Sequence, residues 1–194
     1  MKNEPAIVVL AAGAGSRYHG TRHKLSEKLG GDTVLVSTLH NAIATGMPVV
    51  LVISEALVAE AKGLVAPADM VVVDARLQTG WGMGDSIAAG VSIHASATGW
   101  LVLPADMPLV RPASLRAVAD ALDQQPIAFA QHRGRRGHPV GFAAVHGAAL
   151  AALRGDAGAR ELVASGIDSL TLVDVEDAGI LRDVDVPADL TRDQ

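Results

Sequence analysis

The chain has 194 residues, of which 49% are hydrophobic, 19% charged and 3% aromatic, with no cysteine and a formal net charge of −5. One domain of about 100–200 residues with a buried core is the expected organisation, spanning residues 1–194, and a mostly disordered chain is excluded. Without cysteine there are no disulfides, thiolate metal sites or cysteine nucleophiles, a reducing cytoplasmic setting is expected, and the acidic, aromatic-poor composition speaks against nucleic-acid binding.

Ala6–Leu10 is a short apolar run that reads as a strand covered on both faces. It follows Glu4-Pro5 and leads into Gly13-Ala14-Gly15-Ser16-Arg17, so it reads as strand and phosphate loop rather than as the apolar part of a signal peptide. Val34–Ala44 has helical spacing, and Val49–Ile53 is the next strand. Leu57–Leu64 is a second predicted helix, Met70–Val73 a third strand, Ser86–Ala95 a third helix and Leu101–Leu103 a fourth strand. Pro112 opens the predicted helix Ala113–Leu122. Ile127–Gln131 and Val140–Val145 read as strands on either side of a turn at Arg133-Gly134-Arg135-Arg136-Gly137, and Thr171–Val175 and Ile180–Val184 as late strands. Strands alternating with helices predict a parallel sheet with right-handed crossovers. No apolar run approaches the ~20 residues that cross a bilayer, so no membrane segment is expected.

Positive charge is concentrated in two places. Arg17, Arg22, Lys24 and Lys28 cluster beside His19 and His23, and Arg133, Arg135 and Arg136 lie between His132 and His138. Focused cations on an acidic body suit a small polyanion such as a nucleotide, although two solvated loops would give the same pattern. In Leu10-Ala11-Ala12-Gly13-Ala14-Gly15-Ser16-Arg17, glycines let the backbone approach a phosphate and turn its N–H groups inward. The stretch lacks the Gly-Lys-Ser/Thr of a Walker A loop, and a dinucleotide fingerprint would need glycine where Tyr18 stands. The cations that follow, Arg17 and Lys24, can instead hold a triphosphate and neutralise a departing pyrophosphate. Asp106 stands at the predicted carboxyl end of the strand around Leu101–Leu103, where open α/β sheets place ligands. A carboxylate there can hold Mg²⁺ against a phosphate. Met83–Ser86 opens a helix whose free N–H groups can meet a ribose or base, with Ser86 otherwise a capping residue. Trp81 can stack on a ring or simply pack.

The loop Leu10–Arg17 followed by Lys24-Leu25 resembles the signature of the MobA-like nucleotidyltransferases, and most nearly their molybdenum cofactor cytidylyltransferase branch. The resemblance continues, in the family's order, at Gly82–Ser86, Asp106-Met107-Pro108, Gly137–Val140, Gly155–Arg160 and Asp183–Leu190. It implies a three-layer α/β/α Rossmann-like fold with a mostly parallel sheet. It also implies Mg²⁺-dependent transfer of CMP from CTP to molybdopterin, with release of pyrophosphate and delivery of the product to a molybdoenzyme. Arg17, Lys24 and Asp106 are then catalytic. Leu10, Ala11, Ala12, Gly13, Gly15, Gly82, Ser86 and His138 contact the nucleotide or second substrate. Asp106 and Asp185 hold the metal, and Asp156 and Arg160 resemble residues facing the acceptor. Three departures stand out: the spacing Arg17-x-x-Gly20-x-x-x-Lys24 is longer than the family's, Ser26-Glu27-Lys28 follows Lys24-Leu25 where the family often has apolar residues, and Asp85 puts a negative charge where relatives commonly have serine. Guanylyl transfer, a nicotinamide-dependent oxidoreductase resembling nicotine blue oxidoreductase, and a non-catalytic nucleotide-binding partner of a molybdoenzyme remain the alternatives.

Overall fold

The structure is a computed structural model, and it describes residues 4–13, 23–74, 80–165 and 170–184. Strand β1 (Ala6–Ala11) is followed by a small antiparallel hairpin of β2 (Lys28–Leu29) and β3 (Asp32–Thr33), and then by helix α1 (Val34–Ile43). Next come β4 (Val49–Ser54), β5 (Met70–Val73), α2 (Met83–Ile93), β6 (Gly99–Pro104) and α3 (Pro112–Ala121). The hairpin strands β7 (Ile127–His132) and β8 (Arg135–Ala143), the short helices α4 (Gly147–Ala151) and α5 (Arg160–Ser165), and β9 (Leu170–Asp174) complete the described elements.

The main sheet has the order β5-β4-β1-β6-β8-β7-β9. The strands β5, β4, β1 and β6 are mutually parallel, β8 runs antiparallel to both β6 and β7, and β9 is parallel to β7. The expected mostly parallel α/β architecture is therefore present, with β8 reversed.

Residue alternation sorts the core into two layers. Ile7, Val9, Leu51 and Leu101 face α1 and α3, where they meet Leu35, Leu39, Leu115 and Val118. Ala6, Val8, Val52 and Val102 face the opposite way, toward Ile87 and Val91 of α2 and Leu150 of α4. Helix α2 lies close on the sheet: a Cβ at Gly90 would stand 2.3 Å from Val8 Cγ1. The crossover from β1 to β4 uses α1 on one face, and that from β5 to β6 uses α2 on the other. The connections thus diverge between β1 and β6, and a crevice opens beyond the carboxyl ends of those strands.

Three sequence expectations are corrected. Leu57–Leu64 is not a helix: a 3₁₀ turn at Glu55–Leu57 is followed by further turns, and Gly63 has a φ of 84°. Its apolar spacing reflects Leu57 and Ala61 covering the core. Ile180–Val184 is not a strand; Ala178–Leu181 is a 3₁₀ turn that buries Ile180. The turn predicted at Arg133–Gly137 is confined to Arg133-Gly134, with φ of 48° and 77°, so β8 starts at Arg135 and ends at Ala143, short of the predicted Val145. Positive φ at both central residues is the pattern whose twist suits a two-residue hairpin loop. No helix among the described residues is long and apolar enough to cross a membrane.

Candidate active site

The crevice is built from the strand ends outward. The Ala105 N–H donates to the Leu10 carbonyl at 3.0 Å, which carries the β1–β6 pairing to the brink of Asp106. On the β1 side the chain passes through Ala12 to Gly13. Lys24 reaches this point from a 3₁₀ turn, Lys24–Ser26, pinned by Leu25, which is 3% exposed. His23 anchors the turn at both ring nitrogens. Its Nδ1 accepts from the Leu25 N–H at 3.2 Å and its Nε2–H donates to the Gly13 carbonyl at 3.3 Å, which together select the Nε2-protonated tautomer. Lys24 Nζ then donates to Asp106 Oδ2 at 2.5 Å, with both side chains less than a fifth exposed. Such partial burial strengthens the pair over a surface ion pair, because water screens it less.

The start of α2 forms a second wall. Asp85 Oδ2 accepts from the Gly82 N–H at 3.0 Å and from the Gly155 N–H at 2.8 Å, and the Gly84 N–H donates to the Gly155 carbonyl at 2.7 Å. The loop around Gly155 is thereby clasped to the helix. These hydrogen bonds to the ionised form are the main reason that the Asp85 carboxyl sits below the usual aspartate range. Two expectations change here. The Gly84 N–H is taken by Gly155, and Asp85 spends its charge on backbone N–H groups rather than on the crevice. Ser86 is not the capping residue either. It accepts from the Trp81 indole N–H at 2.9 Å and donates to the Gly82 carbonyl at 3.2 Å.

Strand β8 and the loop before α5 supply the far wall, with Arg135, Arg136, Gly137, His138, Asp156 and Arg160. Nδ1 of His138 is buried and has no hydrogen-bond partner among the described residues. Burial holds the His138 pKa below the ordinary histidine value, against the opposing pull of the Asp106 carboxylate, so the imidazole is neutral at physiological pH.

These walls enclose one cleft of about 880 Å³. Leu10, Ala11, Ala12, Gly13, Lys24, Gly82, Ser86, Asp106 and His138 all line it. Gly15, Arg17 and Asp185 lie outside the described residues. The Val184 N–H donates to the Asp106 carbonyl at 2.9 Å, so the described chain runs beside Asp106 up to that point. Sequence reasoning missed Ile180, Leu181 and Asp183 as cleft residues. It noted Arg135 and Arg136 as a charge cluster but did not assign them a place in the site. For a metal, the carboxylates of Asp106 and Asp183 offer hard oxygen donors of the kind that Mg²⁺ takes. No group of three or more metal-binding side chains forms a cage among the described residues. One or two carboxylates are enough for Mg²⁺, which usually keeps several waters and shares phosphate oxygens with its substrate.

Comparison with known proteins agrees with this fold. The model of the MobA-like NTP transferase domain matches residues 7–170. The purine catabolism protein PucB of Bacillus subtilis is 28% identical over 200 aligned positions, which cover 96% of this chain and 95% of PucB. The crystal structure of Rv0371c from Mycobacterium tuberculosis superposes with a TM-score of 0.80 at 30% identity, covering 97% of this chain and 96% of that one. A structure of Rv0371c in complex with manganese matches with a TM-score of 0.72 at 29% identity, covering 90% and 89% of the two chains.

Proposed function

The chain belongs to the MobA-like NTP transferase family, and we propose that it transfers CMP from CTP to the terminal phosphate of molybdopterin, acting as a single cytoplasmic domain. The observation that carries this reading is the Lys24–Asp106 pair, held at the mouth of the β1 and β6 strands in a cleft that also presents Arg135, Arg136 and Arg160. Cytidine is preferred over guanosine on the strength of the Leu10-Ala11-Ala12-Gly13 loop, whose two alanines resemble the cytidylyl branch.

In this reaction an acceptor phosphate oxygen forms a bond to the α-phosphorus, and the bond from that phosphorus to the β-bridging oxygen breaks. Pyrophosphate carries away the electron pair. The acceptor oxygen is already anionic, so no general base is required and catalysis rests on positioning and charge neutralisation. Lys24 neutralises charge on the triphosphate, in company with Arg17. The backbone of Leu10–Gly13 and the α2 start at Gly82 and Ser86 form the nucleotide side. His138, neutral, offers a hydrogen bond rather than a charge, and Asp156 and Arg160 face the acceptor. Asp106 would hold Mg²⁺, with Asp183, which lines the same cleft, or Asp185, which the family resemblance implies, as the second ligand; the cation supplies charge stabilisation at the phosphates. The manganese complex of Rv0371c supports a divalent cation in this role. The product would pass to a molybdoenzyme.

A thermal-shift panel of CTP, GTP, ATP and NADPH, each with and without Mg²⁺, tests the nucleotide, since a ligand of the folded state raises stability by mass action. CTP with Mg²⁺ is expected to give the largest shift, and pyrophosphate release is expected to require CTP, Mg²⁺ and molybdopterin together. A larger shift with GTP would reassign the base. A shift with NADPH alone, independent of metal, would replace the transferase reading with an oxidoreductase.

A further inference from the structure

The chain has two tryptophans, and they are placed for different purposes. Trp100, on β6, is 1% exposed and donates its indole N–H to the His94 carbonyl at 3.2 Å, so it belongs to the core. Trp81 lines the cleft beside Gly82 and Met83, while part of it packs on the layer that contains Val8 and Ile87. Its N–H is spent on Ser86 Oγ, whose own hydroxyl is directed to the Gly82 carbonyl. The indole has therefore already satisfied its polar edge inside the protein, and it offers the cleft carbon and π surface. No other described Phe, Tyr or Trp lines the cleft, where the remaining ring is the smaller imidazole of His138: Phe142 is 1% exposed, and Phe129 lies beneath the Arg136 guanidinium, 5.7 Å from its ring centroid. Leu10, Met83, Met107, Ile180 and Leu181 also give the cleft apolar surface, but that surface is aliphatic; a ring held by a hydrogen bond has little rotamer freedom left to lose on stacking.

We propose that Trp81 is the stacking face for a planar nitrogen heterocycle attached to phosphate, and that Ser86 is a positioning residue that sets the angle of the indole. This rests on the nucleotidyl-transfer reading, whose two substrates both carry such a ring, as a nucleobase or as a pterin. The assignment goes to the ring chemistry, and the choice between the two sources is left to the ligand arms of the test.

The experiment titrates the native protein and the Trp81→Phe, Trp81→Leu and Ser86→Ala variants with CTP and GTP, each with Mg²⁺, with a phosphorylated pterin, and with inorganic triphosphate. Tryptophan emission, corrected for ligand absorbance, and thermal shift are read on the same samples. The ring that stacks should quench emission saturably, with the same midpoint as the rise in Tm, while buried Trp100 supplies a constant background. Inorganic triphosphate should raise Tm without quenching. The quench should vanish in both Trp81 variants, with affinity lowered about tenfold in Trp81→Leu and less in Trp81→Phe, which keeps an aromatic face. Ser86→Ala should keep the quench at reduced affinity. Quenching by the nucleotides identifies the base as the partner, and quenching by the pterin identifies the acceptor ring. A rise in Tm without a quench, or unchanged affinity in Trp81→Leu, overturns this inference and leaves the transferase reading intact. No rise in Tm with any ring-bearing ligand overturns both.

Discussion

One wall of the cleft stands on the central parallel strands, and the facing wall stands on a reversed strand and a loop held close by glycines. On the first wall, Ala6, Ile7, Val8 and Val9 of β1 and Leu101 and Leu103 of β6 are all 0% exposed. The positions of Gly13 and Asp106 therefore follow from the packing of the whole core, and the Lys24–Asp106 pair inherits that rigidity. On the facing wall, Asp156 and Arg160 belong to a segment tied to α2 by Asp85, by the Gly84–Gly155 hydrogen bond and by the close approaches of Gly82, Gly84 and Gly158. The contrast suits the proposed reaction: the groups proposed to meet the transferred phosphorus rest on fully buried strands, and the groups proposed to face the acceptor rest on a loop and a short helix.

The strongest way to break this comparison is to remove a charge from each wall. Lys24→Ala and Asp106→Asn should each lower kcat by about 10²–10³ with little change in KM for the acceptor, as expected when a preorganised electrostatic group is lost. Arg160→Ala should instead raise the acceptor KM about tenfold and leave CTP affinity unchanged, the pattern of lost ground-state binding. Steady-state pyrophosphate release with each substrate varied in turn measures both. A Lys24→Ala enzyme with normal kcat, or an Arg160→Ala enzyme that loses CTP binding, would show that the division between the walls is wrong.

The same contrast marks what was legible in the sequence. The central strands were: uninterrupted runs such as Ala6–Leu10 and Val49–Ile53 are apolar because both faces are covered, and the structure matches them to within a residue. Asp106 was legible for the same reason, since a carboxylate after such a run falls at a strand end. The far wall was legible only as motifs. Burial alone does not distinguish a strand from a turn, so the apolar residues of Ile180–Val184 and Leu57–Leu64 were read as regular elements when they are turns laid over the core. Helix α2 begins three residues before the predicted Ser86 because its cap is Gly82, assisted by the Asp85 side chain, and not a hydroxyl. The bond from Asp85 to Gly155 depends on tertiary placement that no local spacing encodes, and that from Trp81 to Ser86 depends on where α2 starts, three residues earlier than predicted. The short helix α4 and the two-residue strands β2 and β3 are too brief to show a period.

Gly82→Ala probes the fit between α2 and the loop. An added Cβ would stand 2.2 Å from the Gly155 carbonyl carbon, so the loop must withdraw. The expected costs are about 1–3 kcal/mol of stability, by the rule for overpacked sites, and an acceptor KM raised about tenfold, the size expected for a lost binding contact. CTP affinity should fall less than the acceptor's. Urea denaturation and the kinetic split report the two effects separately, and equal losses for both substrates would mean that the loop serves the nucleotide as well.

Asp85→Ala applies a gentler version of the same disturbance, because it leaves room for the loop and removes only its acceptor. Two backbone N–H groups lose their anionic partner, at a cost of about 1 kcal/mol, the typical value for a lost helix cap. Asp85→Asn should recover part of this, since the amide oxygen can still accept. The pH dependence separates the clasp from mere packing. The carboxyl of Asp85 titrates below the ordinary aspartate value of 3.8 in the folded protein, chiefly because of the Gly82 and Gly155 N–H groups. A carboxylate with a depressed folded pKa contributes stability that is fully present above its unfolded pKa and is lost as the pH falls through the folded one. The deficit of Asp85→Ala relative to the native protein should therefore be constant from pH 7 to about 5 and narrow below about 4, by that linkage. A packing defect would be the same at every pH. A deficit that persisted undiminished at pH 3 would place the role of Asp85 in its bulk and not in its charge, and would shift the hold on that loop to the close approaches at Gly82, Gly84 and Gly158.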